Sequence, residues 1–200
     1  MIRALLFDMG GTLDGDGEHW LDRFASAYAS CGVMLSREAL REAFDEAERH
    51  AASDERIRSA DLETMVECHL GWQWEHLDRD ASAAGLDRFD RADRLRLQGD
   101  IVKHFTQPIR RLAVRNVALL GDLQSRGFVL GVVSNGCGNV EVLCQDLGFA
   151  PFLSVVVDSR RIGIQKPDPA IYEHAAARLG LPPSAIMMIG DSFDRDVRPA

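Results

Sequence analysis

The sequence predicts an α/β protein: a Rossmann-like parallel sheet core whose first strand is separated from the rest by an inserted all-helical unit. Three observations carry this expectation. Four short apolar runs, at 2–7, 128–134, 152–157 and 185–190, are each bounded by Gly, Asn or Asp in the manner of buried strands. Helical patterns lie between the last three runs, and strands alternating with helices form parallel sheets with crossover helices. From 18 to about 105, by contrast, the periodicity is helical and no strand is evident.

Each element has its own signal. The first run, IRALLF, is stopped by Asp8 and the pair Gly10-Gly11. Leu21, Phe24, Ala25 and Tyr28 mark a helix that Gly32 ends. Ser36 is placed to cap a second, with Leu40, Ala43, Phe44 and Ala47 on one face. Leu62, Met65, Val66, His69 and Leu70 mark a third, with Trp72 and Trp74 expected to pack inside the helical unit. A fourth, at 90–105, is weaker and interrupted by Gly99. After it, Val117, Leu120 and Leu123 recur at spacing three before Gly127, and another helix covers 139–147 before Gly148. The clearest opens at Asp168-Pro169, an N-cap acid followed by Pro at the first helical position, and stops at Gly180. The expected division is therefore a core of 1–15 with 108–200 and a helical unit of 16–107. Hinges are expected near 15–17 and at Thr106-Gln107-Pro108.

Composition narrows the function classes. Of the 200 residues, 46% are hydrophobic and 27% charged, which excludes disordered, collagenous and coiled-coil chains. No apolar run approaches the roughly 18 residues of a membrane span, and the N-terminus reads as a strand, not a signal peptide. Cys31, Cys68, Cys137 and Cys144 form no C-x-x-C pair, so they are expected to be reduced thiols of a cytoplasmic protein. The net charge is −8, and 16–107 alone hold 20 acids against 12 bases. Without a basic excess, nucleic acid is not an expected partner. The sequence leaves the oligomeric state open.

Four polar clusters follow the carboxyl ends of the expected strands: 8–12, Ser134-Asn135-Gly136, Lys166 and Asp191. In open parallel sheets that edge binds ligands. The residue types fit one chemistry. A carboxylate can attack phosphorus and form an aspartyl-phosphate, provided a cation and a metal ion offset the repulsion between the two anions. Asp8 and Asp191 offer the hard oxygen atoms that Mg²⁺ prefers. Lys166 supplies the cation; it is one of only two lysines beside 21 arginines, so a merely superficial role would sooner have fallen to Arg. Ser134 and the backbone amides of Asn135 and Gly136 can hold phosphoryl oxygens.

The set Asp8-Met9-Gly10-Gly11-Thr12-Leu13, Ser134-Asn135-Gly136, Lys166-Pro167-Asp168-Pro169 and Gly190-Asp191-Ser192 with Asp196 resembles the haloacid dehalogenase-like hydrolase superfamily, and the helical insertion resembles its C1-type cap. The resemblance implies a phosphatase with Asp8 as nucleophile and Mg²⁺ held by Asp8, the Gly10 carbonyl and Asp191. It further implies that Gly11, Thr12, Ser134, Asn135, Gly136 and Lys166 bind the phosphoryl group of a small phosphorylated substrate, with Asp196 orienting Lys166 or a metal-bound water. Two departures stand out. Phosphatases of the family usually carry a general acid two residues after the nucleophile, where this chain has Gly10; His19, Asp14 and Asp16 are the nearby candidates to replace it. The family also continues beyond the fourth motif with a helix and a strand, so a truncated chain or a sheet one strand short is expected. A phosphate-binding or partner-binding module with lost turnover is the main alternative. A phosphonoacetaldehyde hydrolase would need a lysine in the cap, where only Lys103 stands, and a 2-haloacid dehalogenase would carry an aromatic residue at position 10.

Overall fold

The computed structural model describes residues 1–80 and 86–200. In chain order its main elements are β1 (Ala4–Phe7), α1 (Trp20–Ser30), α2 (Arg37–Ser53), α3 (Leu62–Leu77), α4 (Arg91–Ser125), β2 (Val129–Ser134), α5 (Val140–Asp146), β3 (Leu153–Asp158), α6 (Ser159–Ile162), α7 (Ala170–Leu179) and β4 (Ile186–Ile189). They divide into two compact units: Met1–Gly17 with Arg110–Ala200, and Glu18–Ile109. Among the described residues no helix is long and apolar enough to cross a membrane.

The first unit is built on a parallel sheet in the order β3-β2-β1-β4. All four strands fall within the apolar runs of the sequence, apart from Asp158, which extends β3 by one residue. Their composition follows from position: β1 has a neighbour on either side and every residue buried, so it carries no polar alternation. The chain steps from β1 to β2 and β3, then returns to the far side as β4. That reversal places a crevice at the carboxyl ends of the strands around β1. Register aligns Phe7 with Val132 and Ile189, and Ser134 with Asp158, so Asp8, Ser134, Asp158 and Gly190 stand along one edge. Beneath them, Leu6, Val133, Val155 and Val157 pack with Ile171 and Ala175 of α7. Helix α7 starts at Ala170, one residue later than expected, and the Asp168 carboxylate accepts the Ala170 N–H at 3.0 Å.

The second unit is helical throughout its regular elements. Ser36 caps α2 through Oγ, 3.1 Å from the Ala39 N–H, and Asp61 caps α3 at Thr64. Its core joins Phe24, Phe44, Phe105 and Trp74 to one fully buried histidine. His69 faces Glu48 Oε1 at 3.0 Å through Nε2 and Gln73 Nε2 at 2.8 Å through Nδ1. Gln73 in turn accepts from the Tyr28 hydroxyl. With both ring nitrogens engaged and Phe24 stacked at 5.0 Å, His69 is a satisfied core residue.

One element differs from the sequence reading. The separate helices expected around the hinge at Thr106-Gln107-Pro108 are a single helix, α4, with Pro108 inside it. A proline there removes one helical hydrogen bond and costs about 3 kcal/mol. The apolar residues Ile101, Phe105 and Ile109 nevertheless continue at spacing four through the proline, and all three are fully buried. Burial of that stripe outweighs the local penalty.

Packing of the sheet leaves no space at Gly131 in β2. A Cβ there would lie 2.4 Å from Val155 Cγ1 and 2.8 Å from Leu6 Cδ2. Gly131→Ala is therefore expected to destabilise the protein by about 1–3 kcal/mol, as overpacking of a filled core does. A lower midpoint of urea denaturation at unchanged slope would show it; an unchanged midpoint would mean that the strands part more easily than their packing implies.

Candidate active site

The turn after β1 starts from Asp8. Its backbone N–H donates to Ile189 O of β4 at 2.9 Å, which fixes Asp8 beside the end of that strand. The side chain is buried, and Oδ1 accepts from the Met9 N–H at 2.7 Å. Gly11 follows with φ +76°, a left-handed conformation open to glycine. Its N–H donates to the buried Asp14 carboxylate at 2.7 Å, closing the turn Met9–Leu13. The turn leaves Thr12 Oγ1 buried with no hydrogen-bond partner among the described residues.

The turn Phe193–Val197 after β4 brings Asp196 to the same place. Asp196 is fully buried and accepts the Ser192 N–H at 3.0 Å through Oδ2. A Cβ on Gly190 would lie 2.3 Å from its Cγ, so only glycine fits at the strand end. Asp191 is exposed, and its Oδ2 lies 2.6 Å from where a Cβ on Gly11 would stand.

Lys166 joins these acids. Its Nζ lies 2.9 Å from Asp8 Oδ1 and 2.6 Å from Asp196 Oδ1, and the side chain is 1% exposed. Asn135 holds the lysine backbone from both sides: Oδ1 accepts the Lys166 N–H at 2.7 Å, and Nδ2 donates to Lys166 O at 2.9 Å. This use of the Asn135 side chain is a role that the sequence reading, which assigned only its backbone amide, did not contain. Ser134, buried at the end of β2, takes its place on the sheet edge through its register with Asp158, and Gly136 follows two residues beyond it.

Asp8, Asp191 and Asp196 each offer a carboxylate oxygen within 4.8 Å of the others. Three carboxylates against one ammonium leave an excess of negative charge and hard oxygen donors, a set that suits a small divalent cation. Gly10 is exposed at φ −67° and nothing lies within 4 Å of a Cβ built on it. The nearby candidates for its missing acid each carry a local duty. Asp14 accepts from Gly11, Asp16 pairs with Arg115, and His19 caps α1 through Nδ1, 3.1 Å from the Leu21 N–H.

Burial pushes the Asp8 carboxyl above its ordinary value of 3.8, against the lowering pull of Lys166, and the Asp196 charge adds to the rise. A carboxyl that is a weaker acid folded than unfolded costs stability once it ionises. The loss sets in as pH rises past 3.8 and is complete above the raised value. Asp8→Asn is therefore expected to raise the Tm of cation-free protein at pH 7, with the gain fading as pH falls below 3.8. A lower Tm at pH 7 would show that the contact with Lys166 outweighs burial.

Comparison with known proteins agrees with this geometry. Residues 2–200 match the family described as haloacid dehalogenase-like hydrolase. The chain is 40% identical over 86 residues to the glyceraldehyde 3-phosphate phosphatase of Methanopyrus kandleri, a match covering 42% of this chain and 36% of that protein. Toward the first relatives it matches, the chain thus spans about a third of their length. It is 26% identical over 203 residues to the protein of the same name from Methanocaldococcus jannaschii, covering 100% of this chain and 81% of that one. A crystal structure of a dehalogenase superimposes with a TM-score of 0.56 at 18% identity, covering 96% of this chain and 78% of the other, which places the fold. Fold, strand-edge acids and family match agree: the chain belongs to the haloacid dehalogenase-like hydrolases.

Proposed function

We propose that this protein is a Mg²⁺-dependent phosphohydrolase of a small phosphorylated metabolite, working through an aspartyl-phosphate on Asp8. The observation that carries this reading is the buried chain Asp8–Lys166–Asp196 beside Asp191. It unites a nucleophilic carboxylate, a cation to meet phosphoryl charge and hard oxygen donors. The phosphatase name of the Methanocaldococcus jannaschii relative supports a phosphate ester as the bond cleaved.

Asp8, the Gly10 carbonyl and Asp191 would hold Mg²⁺, which when bound offsets negative charge on the phosphoryl oxygens. Thr12, Ser134, Asn135 and Gly136 bind those oxygens, and the unpartnered Thr12 hydroxyl is a donor suited to the task; Gly11, expected among them, has given its N–H to Asp14 and shapes the turn instead. Lys166 balances the charge gathered as two anions meet. An Asp8 oxygen bonds to phosphorus while the ester P–O bond breaks, and the electron pair leaves on the alcohol oxygen. Water then attacks the acyl phosphate, releasing inorganic phosphate and restoring the carboxylate. The helical unit takes the part of the family's cap, whose side chains choose the substrate.

Gly10 sets the character of this reaction. With no side chain to give a proton, the departing oxygen carries its own negative charge. The same residue favours a second reading, a phosphate-binding module with little turnover.

Asp8→Asn is expected to abolish turnover while leaving phosphate affinity largely intact, and excess EDTA to stop the native protein. Activity unchanged in either experiment would end the mechanism. General acid assistance is worth roughly 10²–10⁴-fold, so its absence should make rates fall steeply with leaving-group pKa across a series of aryl and alkyl phosphates. Gly10→Asp, for which a Cβ has open space, should flatten that dependence and raise alkyl phosphate turnover. A shallow native slope would reveal another acid, with His19, Asp14 and Asp16 the residues to replace. No turnover of even the best leaving groups with Mg²⁺ present would favour the binding module.

A further inference from the structure

Asp158, at the end of β3, has no assigned part in the reaction, yet its carboxylate lies beside Gly136 and organises the loop that follows Ser134. It is 3% exposed. Oδ1 accepts the Arg160 N–H at 2.9 Å and so caps α6, its own helix. Oδ2 accepts the Gly138 N–H at 2.9 Å and the Val140 N–H at 3.1 Å, across the sheet edge. Helix α5 begins at Val140 and its own N-cap, Asn139, makes no side-chain capping bond. One carboxylate thus caps two helices.

The grip is tightest at Gly138. While Asp158 takes its N–H, Arg161 Nε donates to its carbonyl at 2.7 Å, so both polar groups of this residue are held from the segment 158–161. Gly138 sits at φ +101°, a conformation that side chains rarely adopt. Arg161 also reaches Glu141 of α5, with Nη1 3.6 Å from Oε2. Between these points lies Gly136, where a Cβ would stand 2.8 Å from Asp158 Oδ2 and 2.3 Å from Val140 Cγ2. The loop is thus fixed at both ends by Asp158, through the Ser134 register at one and the Val140 amide at the other.

We infer that Asp158 and Arg161 are positioning residues that lock the phosphate-binding loop, setting the direction of the Asn135 and Gly136 amides through their hold on Gly138 and Val140. This inference rests on the phosphohydrolase reading above. A loop released from the carboxylate must find new acceptors for two buried amides, and it can do so only by turning its peptides.

The test compares the native protein with Asp158→Ser and Arg161→Met. A serine hydroxyl can still cap α6 at Arg160 but is too short to span to the Gly138 and Val140 amides. Arg161→Met leaves both amides held and frees the Gly138 carbonyl together with the exposed Glu141 carboxylate; since the arginine is about half exposed, this variant secures a folded protein should the first fail. Three quantities are read with Mg²⁺ present: the Kd for inorganic phosphate by calorimetry, kcat and KM for an aryl phosphate, and amide hydrogen exchange at 135–140. In Asp158→Ser, Kd and KM should rise about tenfold, the effect expected from freeing buried donors, with kcat changed much less. Exchange at Gly138 and Val140 should quicken. Arg161→Met should shift Kd in the same direction by a smaller factor. A lower Tm with Kd and KM unchanged in both variants would overturn the inference and leave Asp158 a purely structural cap. Native protein that neither binds phosphate nor turns over would overturn the phosphohydrolase reading instead, and exchange at Gly138 and Val140 would then still decide whether the clamp itself exists.

Discussion

One ammonium group between two buried carboxylates governs the whole sheet edge. Lys166 Nζ meets Asp8 at 2.9 Å and Asp196 at 2.6 Å, all three side chains being nearly or wholly out of water. Removing the lysine from such a set strands two buried carboxylates, typically at a cost of about 3–5 kcal/mol. The three charges come from segments far apart in sequence, so their meeting requires β1, β4 and the stretch before α7 to be in place together. The surrounding bonds serve that meeting. Asn135 fixes the lysine backbone, the Ser192 amide fixes Asp196, and the absence of a side chain at Gly190 lets the Asp196 carboxylate lie against the strand end.

The charge surplus of the helical insertion is settled differently. Several of its acids pair with arginine on the surface, as Glu46 does with Arg49 and Asp54 with Arg56. Such exposed pairs are individually weak. The unit therefore keeps a solvated acidic face, and its cohesion comes from the aromatic core around His69.

Much of this architecture could be read from the residues alone, for identifiable reasons. Parallel strands buried on both faces show as unbroken apolar runs, and their ends are marked by Gly, Asn and Asp. Helix caps such as Ser36 and Asp168 are local, so sequence neighbours suffice to see them. Asp8, Lys166 and Asp191 were legible because unusual residue types cluster after strand ends, and Asp196 only through the resemblance to a known family. What escaped notice depends on long-range contact. Pro108 lies within a helix because Ile101, Phe105 and Ile109 are buried, and no local rule weighs that. Asn135 and Asp158 work by reaching across to other segments; as single letters they look like ordinary turn residues. Gly190 at β4's end reads as a turn signal, whereas its real constraint is the carboxylate of Asp196.

The glycines of this edge differ in their evolutionary freedom. Gly136 and Gly190 are walled in by carboxylates, and Gly11 by both a carboxylate and its left-handed backbone, so nearly any mutation there damages the fold before chemistry is at stake. Gly10 has an ordinary backbone and open space beside it. Codons for glycine and aspartate can differ by a single base. At this one position a lineage could exchange glycine for aspartate in one mutational step, with open space for the new side chain.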